Sequence, residues 1–389
     1  VIDSNTKPSR IPRLKINQVA LQDNLTGYLF VSPALIIIFI FGLFPIANAV
    51  WMSLYRWRVR QGAFVGIKNY TDVVGDWWGA LAFCVGFAVL MLAYYVWNNA
   101  FNRLTEQRWI AQLASAIVLI GASFGLIAFG WTRMMQVGDA DYLHGLIYTV
   151  YYAFGTVPAQ LILGLILSYI LYQNLFAKEW YRMIYFVPYI TPVVASAVVF
   201  RQVFSSRESS IANQVVGLFG IEPLSWIAES ESLLNILFNL NLEGFWAGPS
   251  LAMVSVILFN IWTYTGYYTV VFLAGLGSIP GDLYEAAKVD GANDWHLFRH
   301  ITLPLLSPVT FYLSVLGFIG TFKSFDSIYV MRDRFAKGTT DTASIVIFDS
   351  FRTDNNWSYA AAQAIILLLI ILALTAVQRN VFEKRVFYG

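Results

Sequence analysis

The chain has 389 residues; 58% are hydrophobic, 17% aromatic and 12% charged, with a net charge of +2 and a mean hydropathy of +0.61. A soluble domain usually carries about 25% charged residues, so the lipid bilayer must be the solvent for much of this chain. A disulfide scaffold (Cys84 is the one cysteine), a disordered tail and a nucleic-acid binder are excluded.

A spanning helix needs about 20 mostly apolar residues. Eight segments qualify: 28–52, 79–97, 109–131, 145–172, 183–204, 250–277, 303–325 and 358–378. The fold class expected is an all-α polytopic membrane protein with eight transmembrane helices. The apolar run from Leu29 to Val50 is too long for the core of a cleaved signal peptide, and no A-x-A site follows it. It reads as an anchor. In the third span, Gly121-x-x-x-Gly125 reads as a helix-packing notch. The loop 205–249 is acidic and carries Trp226 and Trp246. It reads as a solvated loop with interfacial tryptophans, or as a docking surface for a soluble partner.

An even number of spans puts both termini on one side. That side (A) holds 1–27, 98–108, 173–182, 278–302 and 379–389, with 13 Lys+Arg and 9 Asp+Glu. The opposite side (B) holds 10 Lys+Arg and 14 Asp+Glu. The positive-inside rule favours side A as cytoplasmic, chiefly through Lys7, Arg10, Arg13 and Lys15. Arg56, Arg58, Arg60 and Lys68, in the first side B loop, oppose it. Arg201 and Lys323 sit near the side B ends of their spans, where they can snorkel.

Span six offers Asn260, Tyr264 and Tyr267 on one helical face. Span seven offers Gly317, Gly320, Thr321 and Ser324 at i, i+3, i+4 and i+7. Hydroxyl, amide and aromatic groups opposite small residues suit a sugar, which hydrogen-bonds through its hydroxyls and stacks its C–H faces on rings. Small residues at helical spacing also serve close packing. An amide in hydrocarbon needs a partner, which favours a cavity at Asn260.

Residues 278–308 read SIPGDLYEAAKVDGANDWHLFRHITLPLLSP. Asp282, with Glu285 three residues on, has the spacing of a capping box. Leu283, Ala286, Ala287 and Val289 give a small apolar face. Asp290-Gly291 ends the helix, since glycine accepts the left-handed conformation. Asn293 can cap a second helix bearing Trp295, Phe298 and Ile301. A capped, small-faced helix held between two spans is a lever that a partner can push; the alternative is an ordinary amphipathic connector.

Glu285-Ala286-Ala287, Asp290-Gly291-Ala292, Phe298, Ile301, Leu303-Pro304 and Pro308 resemble the EAA signature of ATP-binding-cassette (ABC) importer permeases, in the form of the carbohydrate branch (maltose, trehalose and glycerol-phosphate permeases). Phe64-Val65-Gly66-Ile67-Lys68-Asn69-Tyr70 and Phe186-Val187-Pro188-Tyr189 with Pro192 are similar to further segments of that branch. The resemblance implies a type I importer permease: a cytoplasmic segment 1–27, a first span and external loop 28–78, an inserted membrane hairpin 79–131, a core 145–378 and a cytoplasmic tail 379–389. It also implies an EAA coupling loop at 278–302.

It further implies a second permease, two ATPase subunits docked on EAA loops, an extracytoplasmic solute-binding protein and a sugar as partners, in the cytoplasmic membrane of a bacterium or archaeon. ATP and Mg would be bound by the ATPase, with no cofactor, metal or catalytic residue in this chain; no G-x-x-x-x-G-K-[ST] is present. The coupling residues would be Glu285, Ala286, Ala287, Asp290 and Gly291. The solute path would fall on Asn260, Tyr264, Tyr267, Gly317, Gly320, Thr321 and Ser324. The last four are smaller than the residues of the resembled maltose permease, so its sugar preference does not carry over.

A secondary transporter without an ATPase would need an intramembrane carboxylate for ion coupling, and no Asp or Glu lies inside the eight spans. A membrane enzyme would need a paired His/Asp, Cys/His or metal constellation, and the side A loops offer none. His144, His296 and His300 are too few and too scattered to suggest a metal cluster.

Overall fold

The computed structural model describes residues 18–102, 109–173, 178–242 and 244–382 and the single positions 176 and 386. Lys7, Arg10, Arg13 and Lys15, the link 103–108 and most of the expected tail lie outside them.

The first span is α1 (Gln18–Ile38), a π-helical turn (Phe39–Leu43) and α2 (Phe44–Ser53). Strands β1 (Tyr55–Trp57) and β2 (Gln61–Phe64) form an antiparallel hairpin at its end, and α3 (Lys68–Val74) follows. The Phe64–Tyr70 segment fastens this corner: the Asn69 side-chain amide donates to the carbonyls of Ser53 (2.6 Å) and Tyr55 (3.1 Å). Tyr70 bonds the Ser53 hydroxyl at 2.6 Å. The last carbonyls of a helix have no partner within it, and Asn69 supplies one.

Helices α4 (Trp77–Asn102) and α5 (Trp109–Val137) pair as an antiparallel hairpin. Their contact runs along Gly79, Gly86 and Gly130: a Cβ on Gly86 would lie 2.7 Å from the Ile127 side chain, and one on Gly130 would lie 2.5 Å from the Gly79 carbonyl oxygen. Asp76 and Arg133 close its side B end with a 2.7 Å ion pair, and this holds the Asp76 carboxyl below its usual range. Gly121-x-x-x-Gly125 is not this notch. Both glycines are exposed, and a Cβ on either would have no neighbour within 4 Å, because they lie on the face of α5 turned away from α4.

The rest is built round α6 (Ala140–Tyr172) and α11 (Leu251–Gly277). Asp139 caps α6, its Oδ1 accepting the Tyr142 N–H at 3.0 Å. The fifth expected span is broken: α7 (Lys178–Ile190) and α8 (Val193–Val203) meet at a 96° bend. Pro192 lacks an N–H and disfavours helix at Thr191, so the ladder cannot run through. The seventh is also bent, by 58° at Leu306, between Asp294–Leu305 and Ser307–Phe322. Among the described residues, six helices are thus long and apolar enough to cross a membrane, or eight if each bent pair is one span. The described residues have the build of a multi-pass membrane protein.

The side B loop after α8 is folded, not open. It contains α9 (Ile211–Gly217) and α10 (Leu233–Phe238). The buried Asn213 organises it, with Oδ1 accepting from Leu224 N (2.9 Å) and Trp226 Nε1 (2.8 Å). Trp226 therefore packs inside, against Phe204, and is not an interfacial residue; Trp246 is exposed. Arg201 does not snorkel either. Its guanidinium donates to the carbonyls of Val330 and Arg332, at 2.8 Å each.

A small residue is obligatory where α7 crosses α11, since a Cβ on Gly266 would collide with the Tyr185 carbonyl oxygen. Overpacking of this kind costs about 1–3 kcal/mol. The α4–α5 contact makes a contrast: Gly130→Val is expected to lower the thermal midpoint in detergent by several degrees, and Gly121→Val to leave it unchanged. Equal effects of the two would place the contact face elsewhere.

Candidate functional site

The side A loop after α11 holds α12 (Gly281–Val289), α13 (Asp294–Leu297), a π-helical turn (Phe298–Thr302) and α14 (Leu303–Leu305). Helix α15 (Ser307–Phe322) continues into the membrane. The N-cap of α12 is Pro280, with no side-chain cap. Asp282 is therefore not the cap; it lies in the first turn, where a carboxylate favours the helix dipole. The far end is as the sequence suggests. Gly291 has φ +85°. Its N–H bonds Lys288 O at 3.0 Å and the Ala292 N–H bonds Ala287 O at 2.9 Å, a Schellman stop. Asn293 then caps α13, accepting the His296 N–H at 2.9 Å.

Glu285, Ala286, Leu283 and Val289 are exposed, Val289 by 88%, so α12 turns a face of small and apolar residues, with the carboxylates of Asp282 and Glu285, away from the chain. Its inner face is held by Tyr284, which sequence reasoning does not single out. The ring packs on the cluster containing Leu276, Ile279 and Leu306, and the hydroxyl bonds Thr302 Oγ1 at 3.0 Å. Partial burial pushes that hydroxyl's pKa up. Phe298 meets Tyr169 of α6 edge-on at 5.1 Å. The loop is thereby joined to α6, α11 and the helix leading into α15.

Deeper in the membrane, Asn260 is buried and fully engaged. Gln160 Nε2 of α6 donates to Asn260 Oδ1 (2.7 Å) and to its carbonyl (3.0 Å). Asn260 Nδ2 donates to the Tyr152 hydroxyl, which bonds Ser324 Oγ at 3.2 Å. The chain Gln160–Asn260–Tyr152–Ser324 crosses α6, α11 and the end of α15. Tyr264 and Tyr267 are half-buried and share an exposed ring, Tyr189 of α7, stacked on Tyr267 at 5.0 Å and edge-on to Tyr264 at 5.8 Å. Gly317 lies against Tyr268 and Val157, where a side chain would not fit, whereas Gly320 is open. Thr321 is buried, its hydroxyl bonded to Phe318 O at 3.0 Å. Four of the seven residues thus fall into two groups, Asn260 and Ser324 in a polar bridge and Tyr264 and Tyr267 in an aromatic cluster, while Gly317, Gly320 and Thr321 join neither. Gln160, Tyr152 and Tyr189 belong with them; only Gln160, a buried amide in a predicted span, could have been found from sequence.

On side B lie α16 (Asp326–Met331) and α17 (Ala343–Arg352), and α18 (Trp357–Phe382) forms the last span. A polar cavity of about 340 Å³ opens between the start of α6, the turn before α17 and the start of α18. One guanidinium, Arg332, forks between Asp341 (2.8 Å) and Asp349 (2.7 Å). It cannot fully compensate both, and burial pushes the Asp341 carboxyl up to about 6.

Residues 160–388 match the family of the inner membrane components of binding-protein-dependent transport systems. The chain belongs to that family. This inner membrane component is 26% identical over 353 residues to the arabinooligosaccharides transport system permease protein AraP of Bacillus subtilis, covering 90% of this chain and 86% of that one. It is 24% identical over 361 residues to the trehalose/maltose transport system permease protein MalF of Thermococcus litoralis, covering 92% and 94%. Among solved structures, a chain of a bacterial alginate ABC transporter in complex with an alginate-pentasaccharide-bound periplasmic protein has a TM-score of 0.53 at 18% identity. That match covers 73% of this chain and 97% of that one. The last likeness is one of fold.

Two outcomes are expected. Asn260→Leu removes the side-chain partner of Gln160 and Tyr152, leaving them only the residue-260 carbonyl and Ser324; losing buried hydrogen bonds of this kind costs about 1–3 kcal/mol, and the thermal midpoint in detergent should fall clearly. A variant that melts with the wild type would show that the bridge holds nothing. Asp341, with a raised folded pKa, takes up protons on folding between about pH 4 and 6. Its contribution to stability should therefore fall as pH rises through that window. Asp341→Asn should flatten that slope in a melting series.

Proposed function

We propose that this chain is the membrane subunit through which a sugar or oligosaccharide enters the cell, driven by ATP hydrolysed on separate ATPase subunits. The observation that carries this reading is α12: an outward-facing apolar lever with a sharp glycine stop, pinned by Tyr284 to Thr302 and continuous with α11. A push on it must move α11 and the α13–α15 segment together. Glu285 is the exposed anchor of the lever, with Ala286 and Ala287 permitting close approach and Asp290 and Gly291 ending it.

An extracytoplasmic binding protein delivers the solute on side B, and a second, similar permease completes the path. Two ATPase subunits dock on side A and bind ATP and Mg. The two termini are cytoplasmic, in the cytoplasmic membrane of a bacterium or archaeon. The names of the relatives support a carbohydrate as solute. Tyr264, Tyr267 and Gly320 supply rings and open space for a sugar face, while Asn260, Gly317, Thr321 and Ser324 set the spacing of the helices that carry them. Residues 79–131 form a membrane hairpin added to the transporting core. No carboxylate lies deep in a described span, which weighs against ion-coupled transport without an ATPase.

In the reconstituted complex, Glu285→Ala combined with Gly291→Pro should reduce solute-stimulated ATP hydrolysis and uptake at least tenfold. Intact partner binding and uptake in this variant would remove α12 from the coupling. Uptake driven by an ion gradient without nucleotide would favour the secondary transporter.

A further inference from the structure

Arg56, Arg58 and Arg60 stand on the β1–β2 hairpin at the end of the first span, where they run against the positive-inside rule. All three are exposed, and no carboxylate pairs with them among the described residues. From Leu54 to Tyr70 the sequence adds Lys68 and contains no Asp or Glu. Arg133 and Arg201, on the same side, are both paired. The hairpin is not a loose loop: Asn69 and Tyr70 fix its base, and the Trp57 N–H bonds Ser358 Oγ at 3.0 Å.

The depth of the hairpin follows from its surroundings. It starts two residues after a helix that is apolar and exposed along its length. Exposed Trp51, at the end of that helix, and exposed Trp77 and Trp78, at the start of α4, lie at the side B ends of two spans. Tryptophans in this arrangement mark the headgroup level of a bilayer. The hairpin also exposes Val59 (70%) and Phe64 (66%), which would be costly in bulk water and are at home in an interface. Unpaired guanidiniums at that level face the phosphate layer, and arginine forms strong forked hydrogen bonds with phosphate oxygens.

We propose that the Tyr55–Phe64 hairpin is a binding site for the headgroups of anionic phospholipids in the leaflet at the end of the first span, held by Arg56, Arg58 and Arg60. The site retains acidic lipid against that corner of the protein and fixes the depth of the first span, offsetting the topological penalty of three cations on side B.

The test uses the full chain in nanodiscs of phosphatidylcholine with a minority of phosphatidylglycerol, with retained lipids counted by native mass spectrometry. The wild type should retain phosphatidylglycerol in clear excess over its share of the disc, and the excess should shrink with added salt. Each arginine near an anionic surface contributes about fivefold. The triple variant Arg56→Gln, Arg58→Gln, Arg60→Gln should lose on the order of a hundredfold in preference. The triple lysine variant keeps the charges and should keep most of the preference, which separates charge from fold. Equal retention by wild type and the glutamine variant overturns the proposal. So does a lysine variant as poor as the glutamine one. Loss of binding-protein affinity by the glutamine variant in pure phosphatidylcholine discs would also overturn it, making the hairpin a protein-docking surface.

Discussion

An amide placed in hydrocarbon must find its partners within the protein, since neither lipid nor water can supply them. Asn260 meets that demand through Gln160 and Tyr152, both on α6. The pair of helices joined in this way is the frame of the molecule. Helix α7 lies across α11 at Gly266, α15 is fitted through Gly317 and Ser324, and α12 hangs from the end of α11 through Ile279. Because the bridge pairs donors and acceptors across the two helices, it fixes α6 and α11 in one register.

Much of this was legible in the sequence, because the bilayer imposes a simple code. Long apolar runs gave the spans, and Gly291 and Asn293 gave the stop of one side A helix and the start of the next. What was not legible depends on partners far along the chain. Gln160 and Asn260 are 100 positions apart, and no periodicity links them. Asp282 had the spacing of a cap, but Pro280 already set the helical entry, so the side chain was not needed. Gly121 and Gly125 had the right interval for a notch; only the face of α5 that meets α4 decides which glycines are used. The fifth span read as one helix from 183 to 204, but Pro192 interrupts it, and beyond a 96° bend α7 rests on α11. A tryptophan near a span is usually interfacial, but Asn213, 13 residues before Trp226, draws that ring inward.

The candidate path shows the same division. On sequence the polar residues of spans six and seven read as one lining, and the structure separates them by their partners. Residues bonded to one another set distances between helices. Tyr264, Tyr267 and Tyr189 keep free ring surface, and Gly320 keeps open space. Spacing on a helix says which residues share a face, but not which of them have already spent their hydrogen bonds on a neighbour.

The α4–α5 hairpin seals its own inner surface with Gly79, Gly86 and Gly130 and touches the core chiefly where Gly138 meets the backbone of Val73 and Val74. Nothing in that seal waits for a residue beyond Gly138. Chains are made from the N-terminus, and units that can fold alone tend to do so as they emerge. The hairpin can therefore enter the bilayer as a finished unit while the ribosome is still producing α6.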